Sequence, residues 1–288
     1  MNAAIERLGS GAPLTLRDGR STNVWRFGAA DDEPTTLLLH GWNIDGPVNF
    51  ASSVEQVAET SAGYIVDLTG HGHGPRGEPF SIDRAAADVL LAANALGIEQ
   101  FVPVGYSMGG AVAQRLLHAA PQRCIGVVLV ATAPKFAETS IERAQFAFMQ
   151  QASRPAKQLP RPAQDGILRV IASIACIRYP NWVLPHVLQA DMVALLEAGG
   201  ALGSFNSTES LNHWQGPSAV IVTARDRVVN PERQRRLLDL FPDAFTVELD
   251  ADHDIPVRDD PRLGDALATA LHHVLDSASG PTAQSHPN

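Results

Sequence analysis

Residues 101–119 constrain this chain more than any other stretch. Phe101-Val102-Pro103-Val104 is an apolar run of strand length, Gly105-Tyr106-Ser107-Met108-Gly109 follows it, and Gly110 stands next. Residues 108–119 then carry a helical pattern that stops before Pro121. A strand that passes into a helix within so few residues needs a tight, strained corner. Gly105 and Gly109 leave room there for neighbouring backbone to approach. The corner lifts the Ser107 hydroxyl clear of the sheet. It also sets the Met108 N–H at a helix N-terminus, where donors are unsatisfied and the dipole favours an anion. Ser107 is therefore a candidate nucleophile and the Met108 N–H a candidate oxyanion donor.

The remaining chain supplies the setting such a corner requires. Residues 14–16 and 24–27 flank Asp18-Gly19 and read as a hairpin. Apolar runs follow at 35–39, 64–68, 101–105, 125–131, 219–223 and 245–249. Continuous runs suit strands covered on both faces. Helical patterns lie between them at 50–60, 82–96 (with Ser81 as N-cap), 108–119, 231–241 and 260–275. This alternation argues for a mostly parallel sheet with helices on both faces. Residues 134–214 break it. They offer no convincing strand, only helical segments at 140–153, 164–177 and 185–198, with Pro155, Pro160 and Pro162 marking a loop. An insertion of this kind reads as a cap over the carboxyl edge of the sheet, where open α/β sheets hold ligands. The expected division is a core of 1–133 and 215–276, a helical cap of 134–214 and a flexible tail of 277–288.

Composition excludes several classes. With 288 residues, 45% hydrophobic and 18% charged, the chain has the make-up of a globular protein and not of a disordered one. Twenty-two basic against 31 acidic residues give a net charge of −9, the wrong sign for a sequence-independent nucleic-acid binder. No window reaches the ~20 apolar residues of a membrane helix, and the N-terminus lacks the basic and apolar regions of a signal peptide. The expected location is cytoplasmic. Cys124 and Cys176 sit in apolar runs and read as small core residues. Residues 134–180 hold seven basic and three acidic side chains. That reads as a solvated basic face, with attraction of anionic substrates as the alternative.

The strand–Gly105-Tyr106-Ser107-Met108-Gly109–helix unit, in this alternation, resembles the α/β-hydrolase fold family over nearly the whole chain. The resemblance implies a mostly parallel eight-stranded sheet with helices on both faces and an inserted helical cap. It also implies parts in a fixed order. His40-Gly41-Trp42 is similar to the family's oxyanion motif, which makes the Trp42 N–H the second donor; Asn43-Ile44-Asp45-Gly46 replaces the usual Pro-Gly after it. Asp67-Leu68-Thr69-Gly70-His71-Gly72-His73-Gly74 is similar to the family's Asp-x-x-Gly-His-Gly segment. Metal binding by His71 and His73 lacks partner ligands nearby, so a structural role is expected. Asp226, ahead of Pro231, stands where the family has its acid, and His253 where it has its base. Asp250, Asp252 and Asp254 crowd that histidine, and one of them competes as the orienting acid. His118, His186, His213, His272, His273 and His286 read as helix, loop or tail residues.

The implied chemistry is acyl transfer through Ser107, His253 and Asp226, without metal or organic cofactor. Substrate contacts are expected from His40, Gly41, Tyr106, Phe136, Phe146 and Trp182, although apolar residues at helical spacing also simply pack a cap onto a core. Hydrolysis of a small to medium apolar ester, thioester or lactone is the leading reading. C–C bond hydrolysis, acyl transfer and haloperoxidase-like chemistry use the same triad, and a non-catalytic receptor on the same fold is the reading from another class. The expected partner is a small-molecule substrate, with a homodimer left open.

Overall fold

The computed structural model describes residues 3–29, 32, 34–211, 213–258 and 260–279. Its one sheet contains β1 (Ala12–Thr15), β2 (Ser21–Phe27), β3 (Pro34–Leu39), β4 (Ala62–Val66), β5 (Val102–Tyr106), β6 (Val127–Val130), β7 (Ser218–Thr223) and β8 (Phe245–Leu249). Their spatial order is β1-β2-β4-β3-β5-β6-β7-β8. The two N-terminal strands pair antiparallel, and the pairings from β4 through β3, β5, β6 and β7 to β8 are parallel.

The runs that read as buried strands are buried on both sides, and their side chains alternate between two cores. Leu37 and Leu39 of β3, Val127 and Leu129 of β6, and Val220 and Val222 of β7 meet the helices Ile82–Ala95 and Met108–Ala119 on one face. Leu38, Val128, Val130 and Ile221 meet the helices Val54–Ala58 and Pro261–Ser279 on the other. This is the period of two that a pleated strand imposes. β8 lies at the sheet edge and alternates half-buried Phe245 and Val247 with exposed Thr246 and Glu248.

Register brings the chemistry together. Leu39 of β3 pairs with Gly105 of β5, Tyr106 with Val130 of β6, and Thr223 of β7 with Leu249 of β8. The loops carrying residues 40–45, 107, 224–230 and 250–254 therefore leave the same carboxyl edge.

Between β6 and β7 the described residues add no strand to the sheet. Four helices fill this segment: Ser140–Ala156, Arg161–Ala175, Val183–Val187 and Met192–Ser204. Thr139 and Glu142 cap the first reciprocally, and Asp191 caps the last. The first and last pack closely: a Cβ at Gly203 would sit 2.2 Å from the Phe146 Cβ. The insertion is tied to the core by polar bonds. Trp42 Nε1 donates to Leu195 O at 3.0 Å, Phe80 N to Glu197 Oε2 at 2.8 Å, and Asp191 N to Gly70 O at 2.9 Å.

Several element boundaries differ from expectation. Residues 50–60 do not form one helix; Gly46–Phe50 and Val54–Ala58 are separate short helices. The 231–241 helix breaks into Pro231–Arg235 and Leu237–Leu240, and the 185–198 segment divides into two helices. Pro155 and Pro162 are not loop residues. Pro155 lies in the last turn of its helix, and Pro162 sits in a first turn, where a missing N–H costs nothing. The closing helix runs to Ser279, beyond the expected start of the tail. The rest of that tail, with His286, lies outside the described residues. A short helix, Ala3–Leu8, was not legible in the sequence.

Candidate active site

Ser107 occupies the corner between β5 and its helix with φ 53° and ψ −113°. Non-glycine residues rarely adopt positive φ, and the strain is of order 1–3 kcal/mol. The surroundings hold it. Ser107 N donates to Val130 O at 2.9 Å, and Ser107 O accepts from Thr132 Oγ1 at 2.8 Å and Gly110 N at 2.9 Å. Gly109 is dictated by space: a Cβ there would lie 2.0 Å from Leu39 O. The serine is shielded from solvent, at 6% exposure.

His253 lies against it. Ser107 Oγ is 3.1 Å from His253 Nε2, and His253 Nδ1 is 2.7 Å from Asp226 Oδ2. A carboxylate can only accept, so Nδ1 carries the proton and Nε2 is free to take one from the serine. Asp226 is fixed from every side. Its Oδ1 accepts from Val228 N at 2.8 Å and Val229 N at 2.7 Å. Its Oδ2 also accepts from Thr223 Oγ1 at 2.7 Å and Gln234 Nε2 at 3.0 Å. The rival carboxylates are engaged elsewhere. Asp250 pairs with Arg225, Asp252 with Arg227, and Asp254 with Arg258. Asp252 also receives Arg227 N and His253 N, and these donors outweigh its desolvation and hold its pKa below the usual carboxylate range. The structure thus brings Ser107, Asp226 and His253 together and leaves the three other aspartates as loop anchors.

The Met108 and Trp42 N–H groups donate to no other group among the described residues. The loop at Gly41 abuts the serine, since a Cβ at Gly41 would lie 3.5 Å from Ser107 Cβ. This loop is pinned at both ends. Gly41 N donates to Asn49 Oδ1 at 2.7 Å and Gly46 N to Asp67 Oδ1 at 2.9 Å. Asp45 caps the Gly46–Phe50 helix through Val48 N and also meets His186 of the insertion at 2.6 Å. Burial and the neighbouring Asp45 charge push the Asp67 carboxyl up to about 7.

The expected substrate contacts need revision. His40 is fully buried, and burial lowers its pKa to about 4. It accepts from Leu68 N at 2.9 Å and donates to Gly41 O at 2.8 Å, so it braces the loop and faces no open space. Tyr106 is likewise buried; its hydroxyl, kept protonated by desolvation, donates to His253 O at 2.7 Å. Phe136 packs against Phe205, and Trp182 belongs to a separate apolar cluster with Val48, Val183 and Val257. Phe146 remains beside open space. With Trp42, Ile141, Ala144, Gln145, Phe148 and Met149 it lines an open groove of about 720 Å³. His71 is buried and donates to Thr69 O at 2.9 Å, as a structural histidine does. Sequence reasoning missed Asn49, Thr223 and Gln234. Asn49 and Thr223 had one signal, a polar residue within an otherwise buried stretch, and Gln234, alone buried in a charged helix, had none.

The alpha/beta hydrolase family profile matches residues 36–263. Among curated proteins, a pimeloyl-[acyl-carrier protein] methyl ester esterase of Chromobacterium violaceum is 31% identical over 235 residues, covering 75% of this chain and 85% of its own. A Vibrio campbellii protein of the same name is 37% identical over 119 residues, covering 41% and 44%. Among solved structures, an enol-lactonase from Burkholderia xenovorans superimposes with a TM-score of 0.73 at 19% identity, over 92% of this chain and 100% of its own. A thermophilic esterase from Thermogutta terrifontis does so at 0.73 and 20% identity, over 92% and 99%. No helix among the described residues is long and apolar enough to cross a membrane. By profile, relatives and fold together, this chain belongs to the alpha/beta hydrolase family.

Proposed function

We propose that this hydrolase cleaves a carboxylic ester with an apolar acyl group through an acyl-enzyme on Ser107. It is an ester-cleaving serine hydrolase, and the observation that carries the mechanism is the Ser107–His253–Asp226 relay at 3.1 and 2.7 Å. His253 Nε2 takes the Ser107 proton as Oγ attacks the carbonyl carbon. Asp226 keeps the proton on Nδ1 and stabilises the imidazolium that forms. The developing oxyanion lies between the Met108 and Trp42 N–H groups. Collapse of the intermediate expels the alcohol, which receives the proton from His253. Water, activated by the same nitrogen, then releases the acid and restores the serine.

The insertion acts as a cap that covers the site, and the groove beside Trp42 receives the acyl group. Every lining side chain there except Gln145 is apolar and none is charged. A fluorophosphonate probe should label the wild type and spare Ser107→Ala; a folded wild type that resists labelling overturns the mechanism. With p-nitrophenyl esters, kcat/KM should rise with acyl length. A fully buried methylene contributes about 0.8 kcal/mol, or roughly fourfold, and an open groove gives less. A flat series removes the groove from the reading.

A second reading concerns how the acyl group arrives. The curated relatives are named for substrates on an acyl-carrier protein. Here Arg154, Arg169 and Arg178 are exposed on the cap, without an ion pair among the described residues. A carrier-bound acyl methyl ester should then be preferred over the free ester at low salt. That preference should vanish at high ionic strength, and equal turnover at both refutes it. A cytoplasmic setting is part of this proposal.

A further inference from the structure

An oxyanion donor works only if its N–H is aimed at the place where charge develops, so the peptide behind it must be held. On the loop side that peptide joins Gly41 to Trp42: its carbonyl, Gly41 O, accepts from His40 Nδ1 at 2.8 Å, and the peptide before it, which ends in Gly41 N–H, is held by a second side chain. Asn49 lies in the short Gly46–Phe50 helix and is fully buried. Its Oδ1 accepts Gly41 N–H at 2.7 Å. A backbone N–H can only donate, so the carboxamide has one orientation. Its Nδ2 therefore points away from Gly41, and it finds no acceptor among the described residues. Space at Gly41 places the parts: a Cβ there would be 3.4 Å from Asn49 Oδ1, 3.5 Å from Ser107 Cβ and 3.6 Å from the Tyr106 ring. Carboxamide, nucleophile and oxyanion loop meet around one atom.

Stability alone does not single out an asparagine at this place. Asn49 satisfies the buried Gly41 N–H but leaves its own Nδ2 unpartnered, whereas a leucine of similar volume would orphan the Gly41 N–H instead, so one buried donor goes without an acceptor in either case. Residues that break a packing rule in this way concentrate at functional sites. We propose that Asn49 is a positioning residue of the oxyanion hole: its carboxamide oxygen fixes the His40–Gly41 peptide, from which the next peptide, braced by His40 at Gly41 O, presents the Trp42 N–H to the reacting carbonyl. Bonds at the far end of the loop, from Gly46 to Asp67 and from Asp45 to His186, restrain the same segment, so Asn49 sets its angle and not its existence. This inference rests on the oxyanion role proposed for Trp42.

The test is steady-state hydrolysis of a p-nitrophenyl ester by Asn49→Leu and Asn49→Ala, with rates per titrated active site and a thermal melt of each. Misaiming one of two donors should lower kcat by about 10- to 100-fold, short of the ~10²–10³-fold expected for losing a donor outright. KM should stay within about threefold, because the donor acts on the transition state and not on the bound ester. Asn49→Ala leaves room for water at Gly41 N–H and keeps the test open if Asn49→Leu does not fold. A folded variant with kcat within twofold of wild type overturns the inference, as does a rise in KM alone. Failure of the ester-hydrolase reading is distinguishable, since the wild type would then show no Ser107-dependent turnover.

Discussion

Replacing Asp226 by asparagine keeps the volume of the side chain and removes its charge. One of the two carboxylate positions must then become an NH2 group. At Oδ1 it would face Val228 N–H and Val229 N–H, two backbone donors that cannot turn away. At Oδ2 it would face Thr223 Oγ1, Gln234 Nε2 and His253 Nδ1. The hydroxyl can rotate and the imidazole can change tautomer, which leaves one fixed donor, Gln234 Nε2, against two at Oδ1, so the amide nitrogen settles there. His253 Nδ1 then accepts, its proton moves to Nε2, and the nitrogen facing Ser107 can no longer take the serine proton. In serine proteases the equivalent substitution, with the wrong tautomer, lowers kcat by about 10⁴, or roughly 5 kcal/mol of transition-state stabilisation. We expect a loss of that order, with KM little changed. Steady-state hydrolysis of a p-nitrophenyl ester measures it, and a thermal melt confirms that the variant is folded. A rate within tenfold of wild type would refute the reasoning and move the acid to a neighbour. Asp252→Asn is the comparison: its partner is Arg227, so it should cost far less.

Packing and burial give two further expected outcomes. Gly109→Ala would drive a methyl into Leu39 O at 2.0 Å. The backbone must shift, and we expect about 3 kcal/mol of lost stability together with lost activity, read by urea denaturation and ester turnover; a neutral substitution would mean that the corner is looser than its geometry. His40 and His71 are buried neutral, with pKa values lowered by desolvation to about 4 and about 3 from 6.5. Between those values and 6.5 the unfolded chain binds protons that the folded one excludes. Stability present above pH 6.5 is therefore lost as pH falls, by up to about 1.4 kcal/mol per pH unit for each group. His71→Phe, beside Phe80, should flatten that slope in urea unfolding at pH 5 and 8, and an unchanged slope would exclude His71 as its source.

What could be read from the sequence was what short-range backbone demands encode. The Gly105–Gly109 corner, the apolar runs of β3, β5, β6 and β7, and the N-cap at Ser81 each follow from a few consecutive residues, because turn angles, pleat and orphan donors are local. The order Ser107, Asp226, His253 followed from a resemblance that rests on such local motifs. The motif pointed to Asp226 but left Asp250, Asp252 and Asp254, one residue type on an adjoining loop, as rivals; the packing of the β7 and β8 loops sets Asp226 on the imidazole and the others on arginines. The same holds for His40, whose motif placed it at the site while its burial faces it toward Leu68. Asn49 and Gln234 gave no periodic signal, since a polar side chain gains its meaning from partners distant in sequence. Hydrophobic pattern determines which face of an element is inside; only the packed structure decides which buried polar atoms meet, because a hydrogen bond depends on distance and direction through space.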